Sequence, residues 1–102
     1  MKIGFIGLGN MASAMIGGML DTGTFSPDEI IGSAKTQATA DRAAQRFGIA
    51  AGTDNQETAR QADVLILAVK PQMLGEVIAQ IKNQVKEETL VISMAAGKDM
   101  AW

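Results

Sequence analysis

Apolar residues are distributed along this chain in two alternating ways, as short unbroken runs and as positions that recur every third or fourth residue. Ile3-Gly4-Phe5-Ile6 is a run of the first kind, and Gly7-Leu8-Gly9 follows it. Beyond the glycines the spacing changes. Met11, Met15 and Met19, with Ala12, Ile16 and Leu20, fall on successive turns of a helix that the pattern carries from Asn10 to about Thr22. Gly17 and Gly18 inside it each cost ~1 kcal/mol of helix propensity relative to alanine, so with Ala14 they predict a strip of close packing. Asp21 to Thr24 ends the helix and Ser26-Pro27-Asp28 makes a turn into a second strand, Glu29 to Ser33.

The alternation then repeats. Ala40, Ala43, Ala44 and Phe47 share one face of a helix predicted over Thr39 to Phe47, which Gly48 closes, and Ile49-Ala50-Ala51 forms a short third strand. Asp54 is placed as the N-cap of the next helix, with Glu57 reaching back in a capping box. Ala62 to Val69 has no polar alternation after Asp63, the pattern of a strand buried on both faces of a parallel sheet. Pro71 suits the first position of a helix whose apolar residues Met73, Leu74, Val77, Ile78, Ile81 and Val85 recur at helical spacing. Thr89 to Ser93 is the fifth strand, leading into Met94-Ala95-Ala96-Gly97. Strands alternating with helices through short links imply an α/β domain spanning residues 1–102: a Rossmann-like doubly wound parallel sheet, strand order 3-2-1-4-5, with helices on both faces.

Composition narrows the function. At 102 residues, 47% apolar and 20% charged, the chain is expected to be one soluble domain, with no apolar run near the ~20 residues of a membrane span and no signal peptide at its start. A net charge of −2 argues against nucleic acid as a partner. With no cysteine there is neither disulfide nor thiolate chemistry, and a cytoplasmic location is expected. Histidine and tyrosine are absent as well. Catalysis would therefore rest on a cofactor, on Lys, Asp or Glu, or on residues outside this chain.

The chemistry-bearing positions gather at the carboxyl ends of the strands. Gly7 permits a tight turn, Gly9 lets backbone approach a pyrophosphate, Ala12 keeps helix and strand close, and the helix N-terminus offers N–H groups to a phosphate. A plain strand-to-helix turn is the competing account. A count of about 20 residues past the glycines lands on Glu29, the place of a ribose-binding acid, but Glu29 precedes the apolar Ile30-Ile31 and so lies at the amino end of the strand, whereas ligands bind at carboxyl ends. The right end carries Ser33-Ala34-Lys35-Thr36, which suits a 2′-phosphate and favours NADP(H) over NAD(H), unless Lys35 is only a solvated loop charge. Lys70 ends a central strand on the same edge, and Asn55 is a second candidate cap.

Taken together, Met1 to Ala12 with its Gly7-Leu8-Gly9 turn, Ser33-Ala34-Lys35-Thr36, Asp63 to Gln72 with Ala68-Val69-Lys70-Pro71, and Ser93-Met94-Ala95-Ala96-Gly97 resemble pyrroline-5-carboxylate reductase over nearly the whole chain. The resemblance implies hydride transfer from NAD(P)H to the C=N carbon of 1-pyrroline-5-carboxylate, giving L-proline, with that small molecule as substrate. It implies that Gly7, Gly9, Asn10, Met11 and Ala12 hold the pyrophosphate. Ser33, Lys35 and Thr36 would border the adenosine ribose or its phosphate, and Asn55, Ala68, Val69, Lys70, Ala95, Ala96 and Gly97 would line the rest of the dinucleotide cleft. Proteins of this family continue into an all-helical domain that builds the dimer and most of the substrate pocket, so a homo-oligomer is expected of the full-length form and no catalytic residue is assigned here. Two other readings stand beside it: a β-hydroxyacid dehydrogenase-like reductase, and a nucleotide-binding module that associates through Met94, Met100 and Trp102 unless these fold back on the core.

Overall fold

A computed structural model describes residues 1–94 of the protein. Five parallel strands, β1 (Ile3–Ile6), β2 (Ile30–Ser33), β3 (Ala50–Gly52), β4 (Val64–Leu67) and β5 (Leu90–Ser93), form one sheet in the order β3-β2-β1-β4-β5. The helices α1 (Asn10–Asp21), α2 (Gln37–Phe47), α3 (Asn55–Gln61) and α4 (Pro71–Ile81) alternate with them. The predicted fold and strand order are those observed. Ile6 pairs with Ser33 on one side and Leu67 on the other, and Leu67 pairs with Ser93, so the carboxyl ends of four strands are level.

Each face of the sheet has its own core. Ile3, Phe5, Ile30 and Ile66 pack with Ala12 and Ile16 of α1 and Ala40 and Ala43 of α2. Ile6, Leu65 and Leu67 pack with Ala59 of α3 and Val77 and Ile81 of α4. Successive residues of a strand point to opposite faces, so β1 feeds both clusters. Gly4 belongs to the α3 face, where an added Cβ would lie 2.9 Å from the Ala62 Cβ and 3.0 Å from Thr58 Cγ2. The absence of a side chain there lets α3 approach the central strand.

Several boundaries differ from the predicted ones. Helix α2 starts at Gln37, two residues before Thr39, because the Thr36 side chain accepts from the Thr39 N–H and caps it. The third strand is displaced by one residue to Ala50–Gly52. Asp54 caps α3 as expected, accepting from the Gln56 and Glu57 N–H groups, but Glu57 does not complete a capping box: its carboxylate is taken by Arg60 and Gln61. The capping box forms instead at Ser26 and Glu29, around a 3₁₀ turn over Pro27–Glu29. Helix α4 stops at Ile81, with Val85 still packed on the core from the following turn. The predicted strip on α1 is half right, since Gly17 lies against Phe47 of α2 whereas Gly18 has nothing within 4 Å of an added Cβ. Met94 is partly buried on the core, and Met100 and Trp102 lie outside the described residues.

Candidate functional site

The carboxyl edge of the sheet opens into a cavity of about 940 Å³, lined by the β1–α1 turn, the end of β2, the start of α3, the β4–α4 link and one side of α4. Gly7 is the residue on which this edge turns. Its φ is +97°, a region that L side chains rarely adopt, its N–H donates to the Ser33 carbonyl at 2.8 Å, and an added Cβ would lie 2.5 Å from the Ala68 carbonyl oxygen. Gly9 differs, because an added Cβ would meet nothing within 4 Å. Its bareness leaves room for a ligand beside the start of α1.

The N-terminus of α1 is open in chemical terms as well. Gly9 provides no side-chain cap and the first turn holds no acid, whereas α2 and α3 are capped by Thr36 and Asp54. The N–H groups of Asn10, Met11 and Ala12 precede the first intrahelical bond, from the Ser13 N–H to the Gly9 carbonyl at 2.9 Å. They are donors at the positive end of the helix dipole. None of these three side chains lines the cavity, and Ala12 is buried in the core. Their contribution is backbone.

Ser33, Lys35 and Thr36 form the neighbouring wall. The Ser33 side chain is buried and its Oγ donates to Asn55 Oδ1 at 2.6 Å, while Lys35 and Thr36 are exposed. Ala68, Val69 and Lys70 complete the far side, Lys70 as the N-cap residue of α4. Among the described residues neither Lys35 nor Lys70 forms an ion pair, in contrast to Arg60 with Glu57 and Lys86 with Asp63. Ala95, Ala96 and Gly97 lie outside the described residues. Ser93, just before them, has a buried Oγ with no hydrogen-bond partner among the described residues.

Glu29 lies at the opposite edge. Its carboxylate accepts from the Ser26 N–H at 3.0 Å and lies 4.0 Å from the N-terminal ammonium, and the Ser26 N–H holds its pKa below the ordinary value. The cavity also has residues that sequence reasoning did not single out, Thr39, Thr53, Gln56 and the stripe Gln72, Glu76 and Gln80 on α4. The four-residue spacing of that stripe puts it on one helix face beside the apolar one, and was the available signal. An open glycine turn, an uncapped helix start and two cations without an ion-pair partner among the described residues, around a cavity of this size, are a donor set that fits a dinucleotide.

The comparisons with known proteins agree. Residues 2–97 match the model of the family described as NADP oxidoreductase, coenzyme F420-dependent. The chain belongs to that family. Its relatives include the pyrroline-5-carboxylate reductase of Methanosarcina acetivorans, 44% identical over 96 residues that cover 94% of this chain and 36% of the relative. Among solved structures, a pyrroline-5-carboxylate reductase from Coxiella burnetii superposes with a TM-score of 0.87 at 35% identity, over 94% of this chain and 36% of that one. A Plasmodium falciparum pyrroline carboxylate reductase with NADP bound gives 0.79 at 27% identity, over 97% and 35%. The chain thus spans about a third of the length of the relatives it matches. The resemblance drawn from the Gly7 turn and the Ala68 to Pro71 segment points to these same enzymes.

Proposed function

We propose that this chain is the cofactor-holding part of a reductase that converts 1-pyrroline-5-carboxylate to L-proline, with NADP(H) preferred over NAD(H). The observation that carries the reading is the convergence of the Gly7–Gly9 turn, the uncapped start of α1, Ser33 with Lys35, and Lys70 on one cavity. The kinship with reductases of that name supports the substrate. When bound, NADPH supplies a hydride to the C=N carbon of the ring while the ring nitrogen carries a proton, leaving proline and NADP⁺. The Asn10, Met11 and Ala12 N–H groups hold the pyrophosphate, and Asn55, Ala68, Val69 and Lys70 line its path. Lys35 faces the 2′-phosphate as a charge-assisted donor, with Ser33 and Thr36 bordering the ribose. On this reading Ala95, Ala96 and Gly97 would, with Asn55, Ala68, Val69 and Lys70, line the remainder of the dinucleotide cleft.

The substrate pocket, the proton donor and the homo-oligomer contacts belong, on this reading, to a helical domain that follows the cofactor domain, and the enzyme works in the cytoplasm. Titration of the chain with NADPH and NADH, followed by the enhancement of nicotinamide fluorescence, is expected to give tighter binding of NADPH. Addition of pyrroline-5-carboxylate is expected to produce no NADPH oxidation by this chain alone. Tighter NADH binding would reverse the cofactor assignment, and turnover would show that the substrate pocket is already present.

A further inference from the structure

The cavity that has Lys35 and Lys70 on its rim also holds acids. Asp54 and Glu76 line it, and Asp54 is engaged at the start of α3, where its side chain accepts from the Gln56 and Glu57 N–H groups. Glu76 is exposed on α4 and forms neither an ion pair nor a side-chain hydrogen bond among the described residues. A free carboxylate repels phosphate and can only accept hydrogen bonds. It therefore suits a part of the ligand that is uncharged and carries a donor.

The place of Glu76 along the helix says which part. Gln80, one turn further on, accepts from Asn55 Nδ2 at 2.9 Å, and Asn55 is bonded to Ser33 at the end of β2. Gln56 Nε2 fastens the same turn by donating to the Gln80 carbonyl oxygen at 3.2 Å. Residues four apart on a helix are neighbours at about 5–6 Å. Glu76 is thus one turn from the wall that ends at Ser33, on the adenosine side of the cavity. Val69 and Met73 line the cavity beside it and are half-buried, so each leaves apolar surface facing the space. Met73 precedes Glu76 by three residues and is its neighbour on the helix. A polarizable thioether next to an acceptor is a surface for a flat aromatic ring with a donor on its edge. Adenine is such a ring, with its exocyclic amine on the edge.

We infer that Glu76 selects the purine: its carboxylate accepts the N6 amine of adenine while Met73 and Val69 carry the face of the ring. The inference rests on the dinucleotide reading of the cavity. It gives α4 a part in choosing the base, separate from the choice between NADPH and NADH assigned to Lys35.

The test is titration of this chain, by nicotinamide fluorescence, with NADPH and with its hypoxanthine counterpart, in which a carbonyl oxygen replaces the amine. That oxygen meets the carboxylate as a second acceptor. The unaltered chain is expected to bind NADPH about fivefold more tightly, the scale of one net hydrogen bond. A glutamine can meet either base, since its amide has both a donor and an acceptor. E76Q is therefore expected to bring the two affinities within about twofold of each other, below that one-bond scale. Because Glu76 is exposed, the substitution leaves the core untouched, and the loss of its charge acts on both ligands alike and cancels in the ratio. Equal affinities in the unaltered chain, or a preference that E76Q retains, overturn the role of Glu76 and leave the dinucleotide site standing. Failure of the unaltered chain to bind either ligand overturns the site and this role together.

Discussion

A side chain at Gly7 would face two penalties that add. Its φ of +97° is unfavourable for any L residue, and the Ala68 carbonyl oxygen lies 2.5 Å from where a Cβ would sit. Gly7→Ala is therefore expected to lower unfolding free energy by roughly 1–3 kcal/mol, the range for a strained backbone position, in a urea titration. Gly9→Ala, with open space around its Cβ, should leave stability nearly unchanged and weaken NADPH binding instead. Lys35→Glu is expected to weaken NADPH more than NADH by ~1–3 kcal/mol, and equal losses would mark Lys35 as a solvated loop charge. At this scale the sequence was informative about type and poor about contacts. Glu29 could be set aside from its position before Ile30, but nothing in the string of letters said that Ser26 and the N-terminus hold it. Ser33 was legible as a rim hydroxyl. Its partner Asn55 lies 22 residues away and Gln80 a further 25, a proximity that only folding creates.

Elements were legible wherever one apolar face ran long enough to set a period, and their ends were not. Asp54→Ala removes the acceptor of two N–H groups at the start of α3 and is expected to cost about 1 kcal/mol in urea unfolding, as N-cap losses do. Thr36→Ala should behave alike for α2 and serves as the companion measurement. The misplaced capping box shows why ends are hard to read. Asp54-Asn55-Gln56-Glu57 and Ser26-Pro27-Asp28-Glu29 both carry the signature, and Arg60, one turn further along α3, competes successfully for Glu57. Gly17 and Gly18 are neighbours in sequence, yet only Gly17 meets Phe47, because the crossing of α1 over α2 selects one of them.

Over the whole molecule, the sheet is strongest at its centre. Ile3, Phe5 and Ile6 of β1 are almost fully buried, whereas Leu90, Val91 and Ile92 of β5 are 58%, 45% and 37% exposed. Amides of β5, paired only with β4, are expected to exchange with solvent faster than those of β1, and equal protection would show an edge as firmly held as the centre. Acid acts at the amino edge of the sheet and beyond. The Lys86 ammonium and the Lys2 N–H hold Asp63 below its ordinary pKa, Arg60 and Gln61 do so for Glu57, and Ser26 does so for Asp28 and Glu29. A carboxylate with a lowered folded-state pKa stabilises the fold above its unfolded value near ~4 and loses that contribution as pH falls through the folded value. The melting temperature is thus expected to hold above about pH 5 and to drop below it, and Asp63→Asn should flatten part of the drop.

By itself the sequence determined the alternation of strands and helices, the parallel sheet and its order, the glycine turn and the edge on which the chemistry gathers. These follow from local periodicity and from the handedness of strand–helix–strand links, which act over tens of residues. The tertiary structure alone decided which polar side chains meet: Ser33 with Asn55 and Gln80, Asp63 with Lys86 and the backbone of Lys2, Glu29 with Ser26 and the chain start. Such contacts join residues whose separation along the chain carries no period. The Gly7 turn was visible as a candidate place for a phosphate, and the packing of β2, α3 and α4 decided which other side chains line the same cavity.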